Sequence, residues 1–180
     1  FAHNELGRHT EARRLAQRSL EGNPQSGHTA HTLAHIFFET GDYRGGVDFL
    51  TPWLPGFPRQ GQIFSHLVWH LALFELACGH PERVQGLYAE TLRPDVCPGA
   101  PLIALCDAAA LLWRYDLYGL ERPVGSRQEV AAFVHNNFPR PGITFGDMHC
   151  ALAYAAAGDF DALERLTIQI EERLQQGKIP

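Results

Sequence analysis

Lysine is nearly missing from this 180-residue chain: Lys178 is the single example, and the other basic residues are arginines. Fifteen basic against twenty acidic side chains leave a formal net charge of −5. Such a surface is a poor electrostatic match for nucleic acid or an anionic membrane, so neither is expected as a partner. Long hydrophobic runs are also lacking. No apolar stretch approaches the roughly 18–20 residues that a membrane helix needs. Cysteine is sparse: Cys78, Cys97, Cys106 and Cys150 form no C-x-x-C pair and no disulfide framework. That pattern suits small buried hydrophobes in a reducing cytoplasm, the expected location. Alternating strand patterns are absent as well. The chain opens Phe1-Ala2-His3-Asn4, with no initiating Met and no signal peptide, and is expected to be a fragment or a processed chain.

Histidine, by contrast, is abundant. Ten of the 180 residues are histidine, about twice the share expected of a soluble domain. With 45% hydrophobic and 19% charged residues the balance is otherwise globular, and the length allows one domain with a sizeable core.

A repeat organises the chain. Glu5-Leu6-Gly7-Arg8-His9-Thr10-Glu11-Ala12 is echoed by Glu39-Thr40-Gly41-Asp42-Tyr43-Arg44-Gly45-Gly46, with the glycines 34 residues apart. Leu20, Gly22 and Pro24 return at the same interval as Leu54, Gly56 and Pro58. The turn recurs at Gly79 and at Gly158, with a poorer match at Tyr118-Gly119. Gly41 and Gly79 are 38 residues apart, so the second unit carries a longer loop, rich in Pro52, Pro55, Pro58 and Gly61. Each unit reads as two helices around one turn. The glycine closes the first helix in a left-handed conformation, and Asp42 or Asp159 caps the next. Apolar spacings of three and four (Leu33, Ile36, Phe37; Leu67, Leu71, Phe74; Leu163, Leu166, Ile170) support helices. They are expected near 9–22, 27–40, 43–53, 63–78, 81–92, 101–118, 126–137, 144–157 and 159–176, with residues 1–6 as the tail of an earlier helix.

A 34-residue helix–turn–helix unit resembles the tetratricopeptide repeat. A small residue belongs five positions after the turn glycine, and Ala12, Gly46 and Val84 stand there. The resemblance implies an all-α fold: a right-handed α-solenoid of antiparallel helix pairs. The whole chain is expected to be one such solenoid, with units at about 1–26 (partial), 27–62, 63–99, 100–142 and 143–180. It also implies a concave groove lined by the first helix of each pair. His31, His35, His66, His70 and His149 fall at groove-facing positions. Tetratricopeptide clamps place Lys, Asn and Arg there to grip a terminal carboxylate, so that clamp is not carried over intact.

Four segments narrow the resemblance: His31-Thr32-Leu33-Ala34-His35; His66-Leu67-Val68-Trp69-His70 running on to Phe74; Asp107 to Arg114; and Phe145-Gly146-Asp147-Met148-His149. In this order they resemble the tetratricopeptide repeat protein 38 family. The likeness implies a fold and a site geometry, and no reaction. Members of that family are longer than this chain, which fits repeats missing upstream.

The candidate groove therefore comprises His31, His35, His66, Trp69, His70, Asp107, Arg114, Asp147 and His149. Within each pair the histidines lie four apart, on one helix face. Asp107 and Arg114, seven apart, share another face. Two H-x3-H pairs on neighbouring helices suit a transition metal, Zn, Ni, Cu or Fe, on His31, His35, His66 and His70, with Asp107 or Asp147 as ligand or support. The sequence names no single cofactor, and Thr32 and Leu67 stand where H-E-x-x-H needs its glutamate. A metal-free His–Asp acid–base site, with Arg114 holding an anionic group, is a further alternative. No nucleophile elbow, phosphate loop or dinucleotide fingerprint accompanies these residues. The leading expectation is a binding module for a peptide or protein partner rather than an enzyme. His3, His9, His28, His80 and His135, near helix ends and turns, are expected to face solvent or cap helices.

Overall fold

The computed structural model describes residues 1–178, and every regular element among them is helical. The chain packs as two compact units, the first spanning Phe1–Thr91 and the second beginning at Leu92. The first holds α1 (Ala2–Glu5), α2 (His9–Gly22), α3 (Gly27–Glu39), α4 (Tyr43–Trp53), α5 (Phe64–Ala77) and α6 (Pro81–Leu87). The second holds α7 (Pro101–Leu117), α8 (Ser126–Asn137), α9 (Thr144–Ala157) and α10 (Phe160–Gln175). These ranges follow the expected helices within a residue or two, save at one place. Instead of running to residue 92, α6 stops at Leu87 and continues as a π-helical turn over Tyr88–Leu92. Gly86, a weak helix former, precedes that change, and the wider turn keeps Val84, Tyr88 and Leu92 all buried.

The local signals work as the repeat requires. Gly7, Gly41, Gly79, Gly119 and Gly158 all have φ between 66° and 81°, a region closed to most side chains. One residue beyond Gly41 and Gly158, Asp42 Oδ1 accepts the Gly45 amide and Asp159 Oδ1 accepts the Ala162 amide, each at 3.1 Å. Chain reversals thus sit at the turn glycines that the sequence marks, 34 residues apart for Gly7 and Gly41 and farther apart beyond them.

Within the first unit each helix packs on the next, and alternate helices also touch: α1 with α3, and α3 with α5. In the second unit α7 meets α8 and α9, and α9 meets α8 and α10. Central to the first unit is α5, eleven of whose fourteen residues are buried. A helix apolar on nearly every side must be covered on every side, and α3, α4 and α6 supply that cover. Gly46 of α4 sits where a Cβ would lie only 2.5 Å from the Phe74 ring of α5. The small residue of the repeat is therefore a contact requirement between helices. Among the described residues no helix is long and apolar enough to cross a membrane.

Candidate metal centre

Two neighbouring helices build the site. On α3, Ala30, Leu33, Ala34, Ile36 and Phe37 enter the core, and His31 and His35 lie one turn apart on an adjoining stripe. On α5, His66 and His70 repeat the same spacing. Because α3 and α5 lie against each other, the two pairs meet. His31 is 4.4 Å from His35, 4.9 Å from His66 and 5.1 Å from His70, ring centre to ring centre. His70 is 4.8 Å from His35 and 4.9 Å from His66. One donor nitrogen from each of the four rings can be chosen so that all lie within 4.8 Å of one another.

These distances can be tested against a shared ion. Metal–imidazole bonds of about 2.0–2.1 Å limit two ligand nitrogens to about 4.2 Å apart. The widest pair, at no more than 4.8 Å, closes that gap by small side-chain rotations. The Nε2 atoms of His31 and His35 are already 2.9 Å apart, the separation of two ligands at about a right angle around one ion. Without an ion, one ring's N–H donates to the other's bare nitrogen.

Burial shapes the charge. His70 is buried, while His31, His35 and His66 are half-buried. Burial, and then the like charges of His35, His66 and His28, push the His31 imidazole down to about 3. Burial and His66 also lower His35, against the opposing pull of Glu5 and Glu39. These two rings are therefore neutral near pH 7 and keep the lone pairs a metal needs. Aromatic rings flank the group. Trp69 stacks on His66 at 5.1 Å and 14°, and Phe1 lies 5.2 Å from His35 and 6.0 Å from His31. Phe74 is 6.3 Å from His70.

The other expected groove residues belong to the second unit. Asp107 is buried and Arg114 half-buried on α7, where Arg114 Nη1 donates to the Ala110 carbonyl at 2.9 Å. Asp147 and His149 are buried on α9. Asp147 Oδ1 accepts the Gly142 amide at 2.9 Å, and His149 Nδ1 donates to the Phe145 carbonyl at 2.7 Å. Among the described residues, the group able to hold an ion consists of the four first-unit histidines, with no carboxylate in it. Three of the remaining histidines have side-chain partners elsewhere. His9 meets Asn4 at 3.0 Å, His80 meets the buried Glu75 at 2.6 Å, and His135 meets Asp159 at 2.9 Å.

Sequence reasoning missed Phe1, whose place over the rings follows from the packing of α1 on α3. It also missed the charges of Glu5, His28 and Glu39. Glu39 had a readable signal, four residues after His35 on the same helix. No protein-family model matches this chain, and no solved structure matches it. The reading of the site therefore rests on its own geometry.

Proposed function

We propose that the protein is a metal-binding helical-repeat protein of the tetratricopeptide kind, holding a divalent transition metal on His31, His35, His66 and His70. The observation that carries this reading is the convergence of four imidazole donor atoms, from two H-x3-H pairs, within 4.8 Å. Nitrogen-only donors favour Zn, Ni, Cu or Fe over Mg or Ca, which take oxygen ligands. The experiment is elemental analysis of protein purified without a histidine tag, followed by a thermal melt with and without added Zn²⁺. About one equivalent of metal per chain, and a melting point raised by the ion in wild type but not in His31→Ala or His70→Ala, is the expected result. Metal-free protein with an unmoved melting point would sink the proposal.

A second reading is a docking face for a peptide or protein partner. The 34-residue repeat spacing and the contacts between alternate helices favour it. The same variants separate the two: a docking face loses partner binding when His31 or His70 is removed, whether or not metal is present. A reducing, cytoplasmic setting belongs to either reading. The four cysteines are free, and burial pushes the Cys106 and Cys150 thiols up to about 12 and 11, which keeps them unreactive.

A further inference from the structure

The second unit carries a cavity that the metal reading does not use. Helices α8 and α10 both pack on α9, yet among the described residues they do not pack on each other. A hollow of about 150 Å³ lies between them. One wall is a stripe of α10, where Ala162, Arg165, Leu166 and Gln169 are spaced three and four apart. Tyr154 of α9 and Phe138, just beyond α8, add apolar surface. His135 lines the same hollow, bonded to Asp159 at 2.9 Å and 5.0 Å from the Tyr154 ring. Both Asp159 oxygens are thereby committed, Oδ1 to the Ala162 amide and Oδ2 to His135. Arg165 is exposed and presents its guanidinium at the mouth. An adjoining hollow of about 280 Å³ shares Gln169 and adds Arg140, Arg173 and Glu172. Three arginines thus stand against Glu172 and the already paired Asp159, a local excess of positive charge on a chain of net charge −5.

Size decides between occupants. Pockets for whole small molecules run to about 300–1,000 Å³, so a hollow of about 150 Å³ takes a single side chain of roughly leucine size. We infer that the groove between α8 and α10 docks an extended acidic segment of a partner protein, with one apolar side chain in the hollow and a flanking carboxylate on Arg165. Phe138, Tyr154 and Leu166 remove the apolar side chain from water. The planar guanidinium of Arg165 matches a carboxylate through two parallel hydrogen bonds. Arg140, in the adjoining hollow, meets a second carboxylate of the same segment. Because the groove belongs to the second unit, the inference stands apart from the histidine centre of the first.

The test uses the full chain and a fluorescein-labelled, acetylated peptide, Glu-Glu-Leu-Glu-Glu, followed by fluorescence anisotropy. The same peptide with Ala for Leu should bind about tenfold more weakly, the loss of most of one buried apolar side chain. With Gln for every Glu it should also lose about tenfold, and high salt should weaken the parent peptide several-fold. Arg165→Gln, at an exposed position, should weaken the parent peptide about fivefold. No rise in anisotropy with the parent peptide would overturn the docking. Equal affinities for the Leu and Ala peptides would overturn the side-chain pocket, and equal affinities for the Glu and Gln peptides would overturn the acidic class. An Arg165→Gln protein that binds as wild type does would place the peptide elsewhere. If N-acetyl-leucine competes as tightly as the peptide itself, the site is a small-molecule pocket and the protein partner is overturned.

Discussion

Acid should unfold the metal-free protein early, and His31 should be one cause. The folded state holds this imidazole down at about 3, against about 6.5 in an unfolded chain. Between those values the unfolded state binds a proton that the folded state refuses, so stability rises with pH across the window. The contribution is intact above pH 6.5 and is lost progressively as pH falls towards 3. At pH 5 the chain is about 1.5 pH units below the unfolded value, an upper bound of about 2 kcal/mol at 1.36 kcal/mol per unit. His31 is only half-buried, so solvent screening reduces this to about 1 kcal/mol. The assay is urea unfolding at pH 7.5 and pH 5.0 in chelator, followed by tryptophan fluorescence. Trp53 and Trp69 lie in the first unit and report on it. His31→Gln keeps a polar side chain and removes the titration. The variant should lose about 1 kcal/mol less than wild type between the two pH values. Equal losses would refute the argument that burial and neighbouring imidazoles set the charge at this position.

Three further outcomes follow from the geometry. Gly46→Ala places a Cβ about 2.5 Å from the Phe74 ring and should cost about 1–3 kcal/mol by overpacking; an unchanged urea midpoint would mean that α4 and α5 separate freely. Glu75 is 3% exposed and accepts from His80 at 2.6 Å and Arg83 at 2.7 Å, so Glu75→Ala should cost about 1–3 kcal/mol, read by the same midpoint. Zn²⁺ at a hundred times its dissociation constant should stabilise the protein by about 2.7 kcal/mol; His70→Ala should abolish that gain, and a gain retained in the variant would place the ion elsewhere.

Much of the helical layout was readable because its determinants are local. A glycine that must take positive φ, an aspartate that caps the amide three residues on, and apolar side chains three and four apart each act within about one turn of chain. Gly41, Asp42 and the Leu67-Leu71-Phe74 stripe are such signals, and the helix limits around them agree with expectation. The π turn at Tyr88–Leu92 was not readable. It trades backbone regularity for the burial of Tyr88 and Leu92, and that burial is decided by what packs against them.

The candidate site divides along the same line. Helical periodicity alone puts His31 beside His35, and His66 beside His70, since residues four apart share a face whatever surrounds them. Whether the two pairs meet depends on how closely α3 and α5 approach and how their faces are turned, and no stretch of either helix encodes that separately. Packing brought the four rings to about 5 Å of one another. It set Phe1 over them and lowered His31, first through burial and then through neighbours on the same and the adjoining helix. Asp107, Arg114, Asp147 and His149 share the repeat's ruler but belong to the second compact unit. Local chemistry chose the helices and the faces. Burial and inter-helix distance, which exist only once the chain has folded, brought the four first-unit imidazoles together.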